Sequence, residues 1–174
     1  MRAKYHLVIA SLIVVVCGYL LWTQRPVTII RAGNQIEYDP LFLHGLDGGM
    51  KPVSSESDFY FIVVDHFPLT EWGRIHWYWK HKNELKEKYH IPISASYNIT
   101  FWDIGNGFTS IQKSGDSDLH CFPPREDEKE HCLKKNWLLN VEYDAGDYER
   151  FSFDDSEYYW ITMPDGKLVR IKGA

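Results

Sequence analysis

The chain has 174 residues, 24 of them acidic and 19 basic, for a formal net charge of −5. An acidic surface of this kind makes nucleic acid and anionic headgroups poor partners. Aromatic residues reach 16% of the whole, with 7 Trp, 11 Tyr and 9 Phe; they suit a well-filled core in a single domain and leave material for a binding surface.

The first element is an uncharged run, YHLVIASLIVVVCGYLLWTQ, from Tyr5 to Gln24. Twenty helical residues extend roughly 30 Å, the thickness of a bilayer's hydrocarbon core. Arg2 and Lys4 precede the run and Arg25 follows it. The positive-inside bias therefore predicts a cytoplasmic N-terminus and a translocated body. Residues 1–25 read as a short N-terminus plus a single-pass inner-membrane anchor, and residues 26–174 as a periplasmic domain. A cleaved signal would need small residues after the apolar core, which Thr23-Gln24-Arg25-Pro26-Val27 does not offer. A lipoprotein signal at Cys17 is opposed by the bulky Val16 and by the apolar residues that continue to Trp22.

After Arg25-Pro26, VTIIR at 27–31 reads as a short strand, followed by a Gly-, Pro- and Ser-rich loop through Glu56. FYFIVVDHF at 59–67 has the β-branched and aromatic content of a central strand. Thr70 can cap a helix that runs to about Tyr89 and is stopped by Ile91-Pro92. Strand signals then recur: YNITFWDI and GFTSIQ flank Gly105-Asn106-Gly107, while WLLNVEY and EYYWITM lie on either side of Asp144-Ala145-Gly146-Asp147. A last hairpin turns at Met163-Pro164-Asp165-Gly166-Lys167 into KLVRIK. One helix among locally connected strands predicts an α+β domain with a mainly antiparallel sheet, packed by one long amphipathic helix.

Cys121 and Cys132 bracket CFPPREDEKEHC. In an oxidising compartment a bridge between them would close a short polar loop. The alternative is a metal site, since His120 and His131 immediately precede the two cysteines. Adjacent residues in extended chain point to opposite faces, which is poor spacing for zinc. The loop belongs to segment 116–157, which holds 13 acidic and 5 basic residues. Glu126, Asp127, Glu128 and Glu130 are its candidate contacts to a basic partner, against the plainer role of keeping the domain soluble.

On the predicted helix, Trp72, Ile75, Tyr78, Trp79, Leu85 and Tyr89 share one broad arc, expected to face the core. Trp77 falls nearly opposite, among Lys80, His81, Glu84 and Lys88. It is a candidate interface anchor, unless it is buried beneath the loop at 44–57. Motifs for phosphate binding, nucleophilic hydrolysis, zinc proteolysis and EF-hand calcium are absent. Asp65-His66 with Ser110 or Ser114 offers the residue types of a triad, but neighbours on a strand face opposite ways. No catalytic residue, metal or cofactor is expected.

The segments FPLTEWGRIHWYWKHKNELKEKYHIP and NITFWDIGNGF, the Cys121–Cys132 pair and the RPV exit from the apolar run together resemble the DUF943 family of small enterobacterial membrane proteins of unknown function. The resemblance covers nearly the whole chain, with 40–57 as the stretch that departs from it. It implies an inner-membrane protein of Gram-negative bacteria and no established enzyme activity. The expected function is therefore protein binding in the periplasm. An immunity protein that neutralises a basic, envelope-acting toxin is the first form of it, and a non-enzymatic accessory subunit of an envelope complex is the second.

Overall fold

A computed structural model describes residues 2–23, 25–35, 58–125, 128–145 and 148–173. Helix α1 (Arg2–Thr23) opens the chain. Its side chains Val8, Ile9, Leu12, Ile13, Val14, Val15 and Val16 are all exposed, and at 100° per residue they cover every side of the helix. Among the described residues no helix is long and apolar enough to cross a membrane. The continuous described side chains of α1 run only from Val8 to Gly18, about 17 Å of helix where a bilayer core needs about 30 Å. The anchor expected over Tyr5–Gln24 is thus not shown by them.

The body is α+β. Seven strands form one sheet in the order β1-β2-β3-β6-β7-β8-β9. They are β1 (Thr28–Asn34), β2 (Phe59–Asp65), β3 (Tyr97–Asp103), β6 (Trp137–Tyr143), β7 (Glu149–Ser152), β8 (Tyr158–Thr162) and β9 (Leu168–Lys172). All neighbours are antiparallel except β2 and β3. That parallel pair is joined through helix α2 (Glu71–Tyr89), the crossover that parallel strands require. Thr70 caps α2 by accepting from the Gly73 N–H, and His90 closes it in the left-handed region. Hairpin β4 (Leu119–Cys121) and β5 (Cys132–Lys134) forms a separate two-stranded sheet.

The sheet has two differently covered faces. On one, Tyr60, Ile62, Val64, Ile99, Phe101, Leu139, Val141 and Phe151 pack with Ile75, Tyr78 and Leu85 of α2. On the other, Phe61, Val63 and Trp102 pack with Phe122 and Leu133 at the β4–β5 hairpin. Strand β2 contributes alternate residues to both cores, which is why it reads as an unbroken apolar run. At β1 the pairing shifts between Ile29 and Arg31. The extra residue turns Arg31 onto the hairpin side, where it is only 5% exposed.

Several expected elements differ. GFTSIQ is not a strand: Thr109 makes a single bridge to Cys132, and Ser110 caps the one-turn helix α3 (Ile111–Ser114). A capping hydroxyl three residues before a free N–H outweighs the alternating pattern there. Strand β7 was not expected, because four residues with one aromatic show too little periodicity. The buried stripe of α2 is also narrower than the predicted arc: Trp72 is 56% exposed, and Trp79 and Tyr89 are half-buried. The loop at 40–57 lies outside the described residues.

Cys121 and Cys132 are paired opposite one another in the hairpin and are joined by a disulfide. The sequence separation is 11, so the bridge stabilises by about 3 kcal/mol in the chain-entropy model. Replacing both by Ala should lower the urea midpoint and raise the slope, because the unfolded chain without the bridge is less compact. Thiol labelling of the unfolded, unreduced chain should modify Cys17 alone.

Candidate functional site

The β4–β5 hairpin covers only part of its sheet face and leaves a groove of about 460 Å³ beside it. Strand β3 supplies Asn98, Thr100 and Trp102, the alternate residues whose neighbours Tyr97, Ile99 and Phe101 are buried under α2. Asn140 enters from β6, where it faces Thr100 across the ladder. Phe59, Trp137 and His120 form aromatic walls, and Gln35 closes the end of β1.

The groove floor is a hydrogen-bonded ladder. Thr100 Oγ1 donates to Asn140 Oδ1 at 3.0 Å, and the Asn140 amide donates to Glu142 at 3.1 Å. Asn98 also donates to Glu142, at 3.4 Å. Trp102 stacks on the His120 ring with centroids 4.0 Å apart. Burial, aided by the charge of Lys135, pushes the His120 pKa below its ordinary value, so the imidazole is neutral at pH 7. The Trp102 Nε1 is buried and has no hydrogen-bond partner among the described residues. Leaving such a donor unmet costs about 1–3 kcal/mol.

The predicted contact residues scatter. Glu126 and Asp127 lie outside the described residues. Glu128 is not a free surface acid: it takes Arg31 Nη1 with both carboxylate oxygens, at 2.8 and 3.0 Å, and the Arg125 N–H at 2.9 Å. Burial alone would raise its pKa, but the Arg125 N–H and Arg31 outweigh this and hold it low. The Arg31 guanidinium also donates to the Pro123 carbonyl and lies 5.5 Å from the Phe108 ring centre. Glu130 pairs with Lys113 at 2.7 Å on the exposed surface. Asp118, Glu142, Glu149 and Glu157 likewise have cationic partners. Much of the acidic segment is therefore neutralised within the domain.

Trp77 is half-buried and does not project away from the core. Its ring meets Phe67 and Phe101 edge-on at 5.3 and 6.0 Å and stacks on His81 at 4.3 Å. The tryptophan that α2 exposes is Trp72, stacked on His76 at 4.0 Å. Phe67 and Phe101 pull the helix phase toward Trp77, a term that periodicity along the helix cannot contain. Trp77→Ala should therefore cost about 2–3 kcal/mol of stability, whereas Trp72→Ala should stay within about 0.5 kcal/mol. Urea unfolding of the two variants in parallel measures this, and a neutral Trp77→Ala would refute the packing.

Asp65 and His66 do meet, contrary to the strand geometry expected of them. His66 has φ 59, and this left-handed turn brings its Nδ1 to 3.0 Å from Asp65 Oδ2. Its Nε2, however, accepts from Arg25 Nη1 at 3.0 Å. A triad needs a nucleophile's hydroxyl at that nitrogen, while Ser110 caps α3. The metal alternative at the cysteines meets a similar obstacle. The His131 ring lies near Cys121 and Cys132, but both sulfurs are consumed in the disulfide and are not thiolate donors.

A disulfide-pinned hairpin and a crossover helix on opposite faces of one sheet, preceded by an apolar helix, define a small α+β protein. The chain belongs to the family described as "Enterobacterial putative membrane protein (DUF943)", whose model matches residues 2–172. Neither a curated protein nor a solved structure matches it. The groove residues escaped the sequence reading, although a signal for them exists: in YNITFWD the polar Asn98 and Thr100 alternate with buried Tyr97, Ile99 and Phe101.

Proposed function

We propose that this chain is a single-pass inner-membrane protein, with its N-terminus cytoplasmic and residues 26–174 periplasmic, whose domain binds another protein through the Trp102–Trp137 groove. Within that class it acts as an immunity protein against a toxin working at the envelope. The anchor is supported by an α1 that is apolar on all sides and exposed, since such a helix needs an apolar surrounding. Arg2 and Lys4 support the orientation, and an oxidising compartment suits the disulfide.

The observation that carries the binding role is the groove itself. Aromatic walls around a few polar groups are the usual make-up of a recognition site. Among the described residues its lining contains no Lys or Arg, and Glu142 holds two of its amides. A basic loop of the partner suits both features.

Full-length chain should retain one envelope-acting protein, and Trp137→Ala should weaken that retention by about 2 kcal/mol or more. The retained protein should inhibit growth when sent to the periplasm of cells lacking this chain, and co-expression should protect them. A retained partner that is harmless in that assay makes the domain an accessory subunit. Retention unaffected by Trp137→Ala would overturn the groove. A C-terminal reporter active only in the periplasm checks the orientation separately.

A further inference from the structure

Two sulfurs and an imidazole converge at the loop end of the β4–β5 hairpin. The Cys121 and Cys132 sulfurs and a ring nitrogen of His131 all lie within 4.8 Å of one another. In the oxidised chain the sulfurs belong to the disulfide. We infer that reduction of this bridge turns the three side chains into a binding site for one Zn²⁺ ion, so that metal and disulfide are alternative states of one hairpin. This site needs neither the groove nor the placement of α1.

Two thiolates and an imidazole are a donor set that favours zinc. Around a tetrahedral zinc such donors stand roughly 3.5–3.8 Å apart. Once the S–S bond is open, small side-chain rotations bring the three atoms to that spacing, and the fourth position is left for water. His131 precedes β5 in irregular chain, which releases its ring from the strand alternation that would carry it away from Cys132. The loop between the cysteines carries four acidic and two basic residues, a balance that draws a cation.

The backbone holds the two cysteines together without the bond. They stand directly opposite in the β4–β5 register, and the Phe122 N–H donates to the His131 carbonyl at 3.0 Å. Cys132 is also held on its other side, donating to the Thr109 carbonyl at 3.0 Å and accepting from the Thr109 N–H at 2.9 Å. Phe122 and Leu133, the next residues along, are buried. The bridge contributes about 3 kcal/mol, less than the roughly 5–15 kcal/mol typical of a domain, so the reduced hairpin keeps its place. Cys132 is buried, whereas Cys121 is open to solvent and is the sulfur that a reductant meets first. A dithiol reductant supplies two electrons and two protons, the bridge opens to two thiols, and the reductant leaves as its own disulfide. Zn²⁺ then displaces both thiol protons.

The test uses the full-length Cys17→Ser chain in a neutral detergent, which leaves only the paired sulfurs. After reduction with dithiothreitol and anaerobic removal of the reagent, it should take up one equivalent of Zn²⁺. Co²⁺ in its place should give the charge-transfer absorption of a cobalt–thiolate bond. The oxidised chain should take up neither ion. His131→Ala and His131→Gln should each weaken the zinc affinity of the reduced chain about 100-fold. His76→Ala, at an exposed position of α2, should leave it unchanged.

Near-ultraviolet circular dichroism of the reduced, metal-free chain should match that of the oxidised chain. Loss of that signal on reduction would show that the bond, and not the packing, holds the site, and would overturn the inference. So would a reduced chain that takes up no zinc, equal uptake by the oxidised chain, or full affinity in both His131 variants.

Discussion

Glu149→Ala should destabilise the domain by about 3 kcal/mol, chiefly the cost of leaving buried Tyr78 and its neighbouring donors without their acceptor, since the Lys82 side chain is 40% exposed. The Glu149 side chain is 11% exposed and pairs with Lys82. It also accepts from Tyr97 OH at 2.7 Å, Tyr78 OH at 3.1 Å and Trp79 Nε1 at 3.3 Å. Four donors from α2 and β3 thus converge on one carboxylate of β7, and removing it leaves all four without that acceptor. Glu149→Gln keeps the shape and part of the bonding, so its loss should be smaller.

The same carboxylate makes stability depend on pH. Burial alone would raise its pKa, but the hydrogen bonds from Lys82 and Tyr97, the Lys82 charge and the Trp79 bond outweigh burial and hold it below the ordinary value of 4.5. A lowered folded-state pKa means that the unfolded chain binds the proton more tightly. The contribution is therefore fully present above about pH 4.5 to 5 and is lost as pH falls through the folded value. Lys82 titrates in the opposite sense: burial lowers its pKa, but the bonds and charge of Glu149 raise it above 10.5. That stabilisation fades only as pH rises through the raised value. Urea midpoints between pH 3 and 7 should fall less steeply for Glu149→Gln than for the parent. Equal slopes would show that Glu149 does not carry the acid sensitivity.

Phe101→Ala should cost about 3–5 kcal/mol, by a different route. Phe101 has no exposed surface, and its ring stacks on Phe67 at 5.2 Å with 13° between planes. It also meets Trp77 and Tyr78 edge-on at 6.0 and 6.2 Å. The deletion leaves a cavity under α2 bounded by rings too large to fill it. A domain with about 5–15 kcal/mol in hand would lose much of its margin. Phe101→Leu should cost less, because most of the volume remains. In a double-mutant cycle, Phe67→Ala and Phe101→Ala should couple by about 0.5–1.5 kcal/mol, the worth of the ring contact itself. Additive losses would mean that the two rings pack independently.

What the sequence determined by itself lies close along the chain. Thr70 caps α2 because its hydroxyl needs only the Gly73 N–H three residues on. The Met163–Lys167 turn closes because Gly166 accepts φ 78 and Met163 reaches the Lys167 carbonyl at 2.8 Å. Strands β2, β3, β6 and β8 appear where aromatic and β-branched runs predicted them. The tertiary structure decided which face each side chain meets. An extra residue at the β1 bulge sends Arg31 to Glu128, 97 positions away. The β2–α2–β3 crossover sets Phe67 and Phe101 against Trp77 and leaves Trp72 outside. The β4–β5 hairpin covers Phe61 and Val63 but stops short of Asn98 and Thr100, and so makes the groove. Caps and turns draw their energy from atoms a few residues apart, whereas burial depends on what another part of the chain brings to that face.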